Sequence, residues 1–263
     1  MNARPRTFAD LTMPEIGDAA ARGAGVILPV GSTEQHGPHL PLCTDSLIPA
    51  EMALAMAEPL DMLVAPPIVY GYRSRPLSGG GQRWVGTTSV SARTLMAVVE
   101  DVLVEFIRHG FRRLVLLNWH FENSNFLYEA AWLANERTGN TGARIMVIEA
   151  AFAELSAPAM DALFGDQFPG WDVEHAAVLE TSLLLHLRPD LVLMDRAVDD
   201  AAPRHPFYDV VPIPDDFMSQ SGVLYKATLA TAAKGAIAWS EMVDNVRKAI
   251  GEELGPATPR AAG

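Results

Sequence analysis

Six consecutive apolar residues without alternation, Gly25–Val30 (GVILPV), constrain this chain more than any other stretch. A strand with one wet face alternates polar and apolar residues. A run with no alternation fits a strand buried on both faces, as in a parallel sheet covered by helices. Met62–Ala65, Leu114–Leu117 and Ile145–Ile148 repeat the signal. Helical patterns separate these runs. Leu47–Ala57 is rich in helix formers, and Ser91–His109 carries Leu95, Val99, Leu103 and Phe106 at helical spacing before Gly110. Glu122–Glu136, Glu174–Leu187 and Lys226–Leu254 are the remaining helical segments. The alternation predicts an α/β fold, a mainly parallel sheet flanked by helices on both faces. With no repeat or low-complexity linker, residues 1–263 read as one domain, and GPATPRAAG (255–263) reads as a frayed tail.

Charge narrows the partners. The net charge is −12, so a phosphate backbone or an anionic membrane surface would be repelled. No apolar run approaches the roughly 18 residues needed to span a bilayer. Cys43 is the single cysteine, which rules out a disulfide within the chain and suits a reducing compartment. The N-terminal segment lacks an apolar signal core. The expectation is a cytoplasmic protein acting on a small molecule, with Cys43 a small buried residue.

Two strands run into polar clusters. LPVGSTEQHGPHLPLCTD brings Glu34, His36 and Asp45 beyond the first strand, and LLNWHFEN brings His120 and Glu122 beyond the third. Such clusters fold poorly without a partner, and a cation is the usual one. Sites in open α/β sheets form beyond the carboxyl ends of strands, so neighbouring strands would direct both clusters into one crevice. In extended chain, residues i and i+2 point to the same side, and each Glu/His pair can offer two ligands to one place. Two imidazoles and three carboxylates without thiolates suit zinc or manganese. Five ligands exceed what one open catalytic zinc takes from protein, and a two-metal site with a bridging carboxylate would use them all. Either pair alone is weak evidence, since a lone His-x-Glu on a loop is more often a solvated or capping pair. Tyr70–Thr88 is a long glycine-rich loop of the kind that carries function.

Four segments in order, VGSTEQHGPHLPLCTD, YGYRSRPLSGGGQRWVGTTS, GFRRLVLLNWHFENSNF and PGWDVEHAAVLETSLLL, resemble the creatininase (creatinine amidohydrolase) family. The resemblance implies two divalent ions per chain, zinc and/or manganese, and a metal-bridging hydroxide that opens a small cyclic amide such as creatinine. Carried over by residue, Glu34 and His120 would hold one ion, His36 and Glu122 the other, and Asp45 would bridge them. Glu122 is also carried over as catalytic. His175 would deliver a proton to the leaving nitrogen, which an imidazole does readily near neutral pH. Glu174 and Asp172 would orient it or complement a helix N-terminus. Glu180 would sit behind a metal histidine or serve as a buried structural acid. Ser78, Gly79 and Gly80 would approach the substrate, with Trp171 covering it and Asp172 beside it. Homohexamers are implied.

The sequence also departs from creatininase proper. Trp119 and Phe121 stand where a glycine and a tyrosine flank the metal histidine, both at the substrate's side. A second tryptophan after the fourth strand is missing, and Ala150 and Ala151 stand there. Trp119 refilling that volume would keep a planar substrate sandwiched. Arg73, Arg75 and Arg83 are either solvated loop charges or an answer to an anionic substrate. Other members deformylate a pyrimidine nucleotide intermediate, trim a peptide precursor of a redox cofactor, or cleave cyclic polyol ketones, so the resemblance leaves the substrate open.

Overall fold

The computed structural model describes residues 6–149, 151–152 and 154–258. Ala150 and the last five residues of the expected tail lie outside them. In chain order the elements are α1 (Met13–Ala21), β1 (Gly25–Val30), α2 (Thr44–Ala57), β2 (Met62–Val64), the single-turn α3 (Pro76–Gly79), α4 (Ala92–Arg108), β3 (Arg113–Asn118), α5 (Ser124–Thr138), β4 (Arg144–Ile148), α6 (Ala157–Phe164), α7 (Val178–Leu187) and α8 (Ala232–Leu254). The strands form one sheet in the order β2-β1-β3-β4, and all three pairings are parallel.

The period-two geometry of a strand divides its side chains between two cores. Ile27, Val64, Val115 and Leu117 face one layer, where they meet Met52 of α2, Leu183 of α7 and Met242 of α8. Val26, Leu28, Leu63, Leu114 and Leu116 face the other, against Leu103 of α4 and Leu127 of α5. The absence of alternation in GVILPV is therefore accounted for: both of its faces are covered, and all six residues are buried. The α/β class read from the sequence is borne out. Among the described residues, no helix is long and apolar enough to cross a membrane.

Phe111, in the turn between α4 and β3, is fully buried and packs near Phe8 and Phe106 with ring centroids 6.0 and 6.4 Å away. Phe111→Ala should cost about 3–5 kcal/mol through lost burial and a residual cavity. Urea unfolding at matched metal load measures it, and a loss below about 1 kcal/mol would show that the site collapses around the smaller side chain.

Two helices begin a full turn or more later than the sequence pattern suggests. The expected Glu174–Leu187 segment is helical only from Val178. Ala176 adopts a left-handed φ of 53°, and Glu174 Oε1 accepts the Leu179 N–H at 2.7 Å, capping the helix from outside. The expected Lys226–Leu254 helix starts at Ala232. Thr231 caps it by accepting the Lys234 N–H at 3.2 Å, while Asp199 ties down Thr228 in the preceding turn. Both shifts come from side-chain hydrogen bonds that compete with the first helical turn. Cys43 is exposed, against the expectation of a small buried residue.

Candidate metal centre

β1 and β3 are neighbours, with Val30 opposite Asn118. The two polar clusters therefore leave the sheet side by side and at the same level. β1 leads out toward β2 and β3 toward β4, so the crevice lies where the connections diverge, the usual place for a site in such a sheet. Asp45 arrives from the first turn of α2, which can approach β1 closely because residue 31 is glycine. A Cβ there would stand 2.2 Å from the Asp45 carbonyl oxygen.

The clustered side chains have their nitrogens sorted. His36 Nδ1–H donates to the Glu34 carbonyl at 3.1 Å. Its Nε2 therefore faces Asp45 Oδ1 at 3.1 Å and Glu180 Oε2 at 3.5 Å. His120 Nε2–H donates to the Tyr72 carbonyl at 3.0 Å, leaving Nδ1 2.9 Å from Glu34 Oε2 and 3.2 Å from Asp45 Oδ2. In each imidazole one nitrogen is committed to a carbonyl, which orients the ring and frees the other for a ligand. Three overlapping groups result: Glu34, Asp45 and His120; His36, Asp45 and Glu180; and Glu34, His36 and His175. Within each, the candidate ligand atoms all lie within 4.8 Å of one another.

The electrostatics match a cation-binding set. Burial opposes charge on His36, but the Asp45 and Glu180 carboxylates outweigh it and hold the imidazole well above its ordinary pKa. His120 is likewise raised against burial, by Glu34 and Glu122. Burial also works against charge on Asp45 and Glu180, yet His36 brings both below the usual carboxylate range. Burial pushes Glu34 upward despite His120 and His175. Carboxylates outnumber fixed cations in this cluster, which leaves its charge balance to the two imidazoles or to a bound cation. His36 Nε2 and Asp45 Oδ2 are buried without a well-directed hydrogen bond. Divalent cations would satisfy those atoms, and a donor set of imidazoles and carboxylates fits zinc or manganese.

Several placements differ from the expected assignment. The carboxylate that reaches His36 is that of Glu180, not Glu122. Glu122 belongs to none of the three groups. Its Oε2 lies 3.5 Å from the far nitrogen of His120, and its Oε1 accepts from Ser78 Oγ at 2.7 Å and the Arg75 N–H at 3.0 Å. The resemblance carried Glu122 over as a ligand alongside His36, whereas the bend after β3 turns it to the outer side of the His120 ring. His175 lies in the bend before α7 rather than on the helix. Its ring centroid is 4.4 Å from that of His36, and its Nε2 is 4.0 Å from Glu34 Oε1 and 3.0 Å from the Gln35 carbonyl. Glu174, buried and pushed up to about 8 by burial and by Glu180, is the cap of α7 described above.

A cavity of about 40 Å³ opens over these groups, and Ser78, Trp119, Phe121, Phe152, Trp171, Glu174 and His175 contribute to its walls. Gly79 and Gly80 stand behind it. A Cβ on Gly79 would lie 2.5 Å from Glu34 Oε1 and 2.4 Å from Ser74 Oγ. The loop glycine thus gives room to a metal-side carboxylate rather than to the cavity. Asp172 lines an adjoining, wider recess of about 420 Å³ that shares Ser78 and Phe121 and includes Arg75, His205 and Tyr208. Arg75 pairs with Asp209, and Arg83 lies 3.3 Å from Asp215. Ala151 is buried in the same core layer as Trp119, and Trp119, Phe152 and Trp171 form a ladder with centroids 5.6 and 4.7 Å apart.

Phe152, Ser74 and Gln35 escaped the reading of the sequence. Ser74 Oγ donates to Glu34 Oε1, and Gln35 Nε2 donates to the Gly222 carbonyl at 3.0 Å. Only Gln35 left a signal, its place inside the Glu34-x-His36 pair.

The wider similarities agree with this architecture. Residues 9–250 match the family model for creatininase, described as creatinine amidohydrolase. A creatinine amidohydrolase from Pseudomonas putida is 40% identical over 251 residues, covering 94% of this chain and 96% of the relative. A mycofactocin precursor peptide peptidase from Mycolicibacterium smegmatis is 35% identical over 232 residues, covering 83% and 81%. Among solved structures, a manganese form of creatininase superposes with a TM-score of 0.92 at 38% identity, covering 96% of this chain and all of that one. A match over nearly the whole chain, with the same parallel sheet, shows that this chain belongs to the creatininase family.

Proposed function

We propose that this hydrolase opens a small cyclic amide, creatinine or a close analogue, at a two-metal centre. The observation that carries the reading is that two His/carboxylate groups share Asp45 on the floor of a small cavity walled by aromatic rings. Glu34, Asp45 and His120 would hold one ion, and His36, Asp45 and Glu180 the other. Bound divalent ions make water a nucleophile near neutral pH and polarise a carbonyl. The remaining work falls to the chain's own side chains. Trp119, Phe152 and Trp171 clamp a flat substrate. His175, beside Glu34, hands a proton to the departing nitrogen. Glu122 places a carboxylate oxygen 3.5 Å from the outer nitrogen of His120 and fixes Ser78 at the cavity mouth.

The adjoining recess favours a second reading, a longer substrate such as a peptide whose scissile amide reaches the centre while the remainder lies along Arg75, His205 and Tyr208. Proton NMR of creatinine incubated with the protein and manganese or zinc separates the two. Creatine appearing with metal and not with chelator is the expected result. No conversion by protein shown to hold two ions per chain would overturn creatinine as substrate, and turnover in metal-free protein would overturn the metal role.

A further inference from the structure

We propose that Trp119 is a positioning residue that holds Glu180 in its metal-binding orientation, and so sets the affinity of the His36–Asp45–Glu180 group selectively. The inference rests on the reading of Glu180 as a ligand given above.

Glu180 is buried in the first turn of α7. Its Oε1 accepts the Trp119 indole N–H at 3.0 Å. Its Oε2 accepts the Ala176 N–H at 2.7 Å and faces His36 Nε2 at 3.5 Å. The terminal torsion of a glutamate is broad and has no strong rotamer of its own. A donor on each oxygen therefore decides the plane of the carboxylate. The Ala176 donor comes from a residue with left-handed φ in the same bend that carries His175. Trp119 is the donor that comes from outside that bend.

Trp119 is built to hold still. Its backbone N–H donates to the Val30 carbonyl at 3.0 Å, one step beyond the β1–β3 ladder. The residue is 5% exposed, and its ring meets Phe152 edge-on, at an interplanar angle of 78°. A hydrogen bond to a buried carboxylate is charge-assisted and stronger than a neutral one, and partners that orient metal ligands in this way tune the ion's affinity. The residue also sits immediately before His120. It thereby joins the strand carrying a ligand of one group to the helix carrying a ligand of the other. Its ring packs against Phe152, and its N–H serves Glu180, so the two roles can be separated by substitution.

Trp119→Phe keeps a ring against Phe152 and removes the donor. Calorimetric titration of metal-free protein with Mn²⁺ is expected to show two ions on the wild type. In Trp119→Phe, one ion should bind about 10- to 100-fold more weakly and the other unchanged. In Glu180→Ala, adding Trp119→Phe should change nothing further. Unchanged affinities in Trp119→Phe, or equal weakening of both ions, would overturn the proposal. So would a penalty that persists in the Glu180→Ala background. A wild type that holds no ions would overturn the metal reading itself and this inference with it, whereas two ions bound with the same two affinities by wild type and Trp119→Phe would sink only the inference. A measurement on the intact side chain guards against misfolding of the variant: with ¹⁵N-labelled tryptophan, the Trp119 indole N–H resonance should shift on Zn²⁺ addition to wild type. A resonance that does not move would also overturn the proposal.

Discussion

Asp45→Asn is expected to weaken both ions at once and to lower kcat/KM by about 10³-fold or more, since each such ion contributes several kcal/mol to the transition state and about 1.4 kcal/mol is tenfold in rate. Asp45 has one oxygen 3.1 Å from His36 Nε2 and the other 3.2 Å from His120 Nδ1. It is thus the carboxylate that faces the free nitrogen of both imidazoles. Asparagine keeps the volume but offers a single neutral oxygen and directs N–H donors where a cation should sit. The measurement is metal content after dialysis together with initial rates. Two ions retained at wild-type affinity would remove Asp45 from the bridging role. Loss of one ion alone would assign Asp45 to a single group.

His175→Ala is expected to lower kcat by about 10²–10⁴-fold, the range for a positioned general acid, with both ions still bound. The imidazole lies over the His36 ring and within 4.0 Å of Glu34, and it lines the cavity. That placement permits two roles. A proton donor would affect rate and leave metal content intact. A ligand in the Glu34–His36–His175 group would lose an ion when truncated. Metal analysis and single-turnover rates on the same sample decide between them. A variant with the wild-type rate would exclude His175 from the chemistry.

The creatininase resemblance and the metal centre come from different kinds of information in the chain. Strand positions were readable because burial on both faces leaves a local mark, as in GVILPV and RLVLLN. The sorting of Ile27 and Val26 into opposite cores follows from strand geometry alone. Helix starts were less readable at α7 and α8, where Glu174 and Thr231 cap turns that apolar periodicity would have extended.

Sequence alone determined the α/β class, the two polar clusters at strand ends and the excess of carboxylate over cationic charge among them. These features are local, because spacing of a few residues and the period of a strand generate them. Tertiary structure decided which carboxylate reaches His36. Glu180 and Glu122 are both plausible by type, and only the packing of α7 against the sheet brings Glu180 to Nε2 while the bend after β3 turns Glu122 to the far side of His120. It also decided that Phe152 and Trp119 meet in the cavity wall, and that the Trp119 N–H meets Glu180. Such contacts join residues separated by tens of positions, and a linear pattern carries no distance between them.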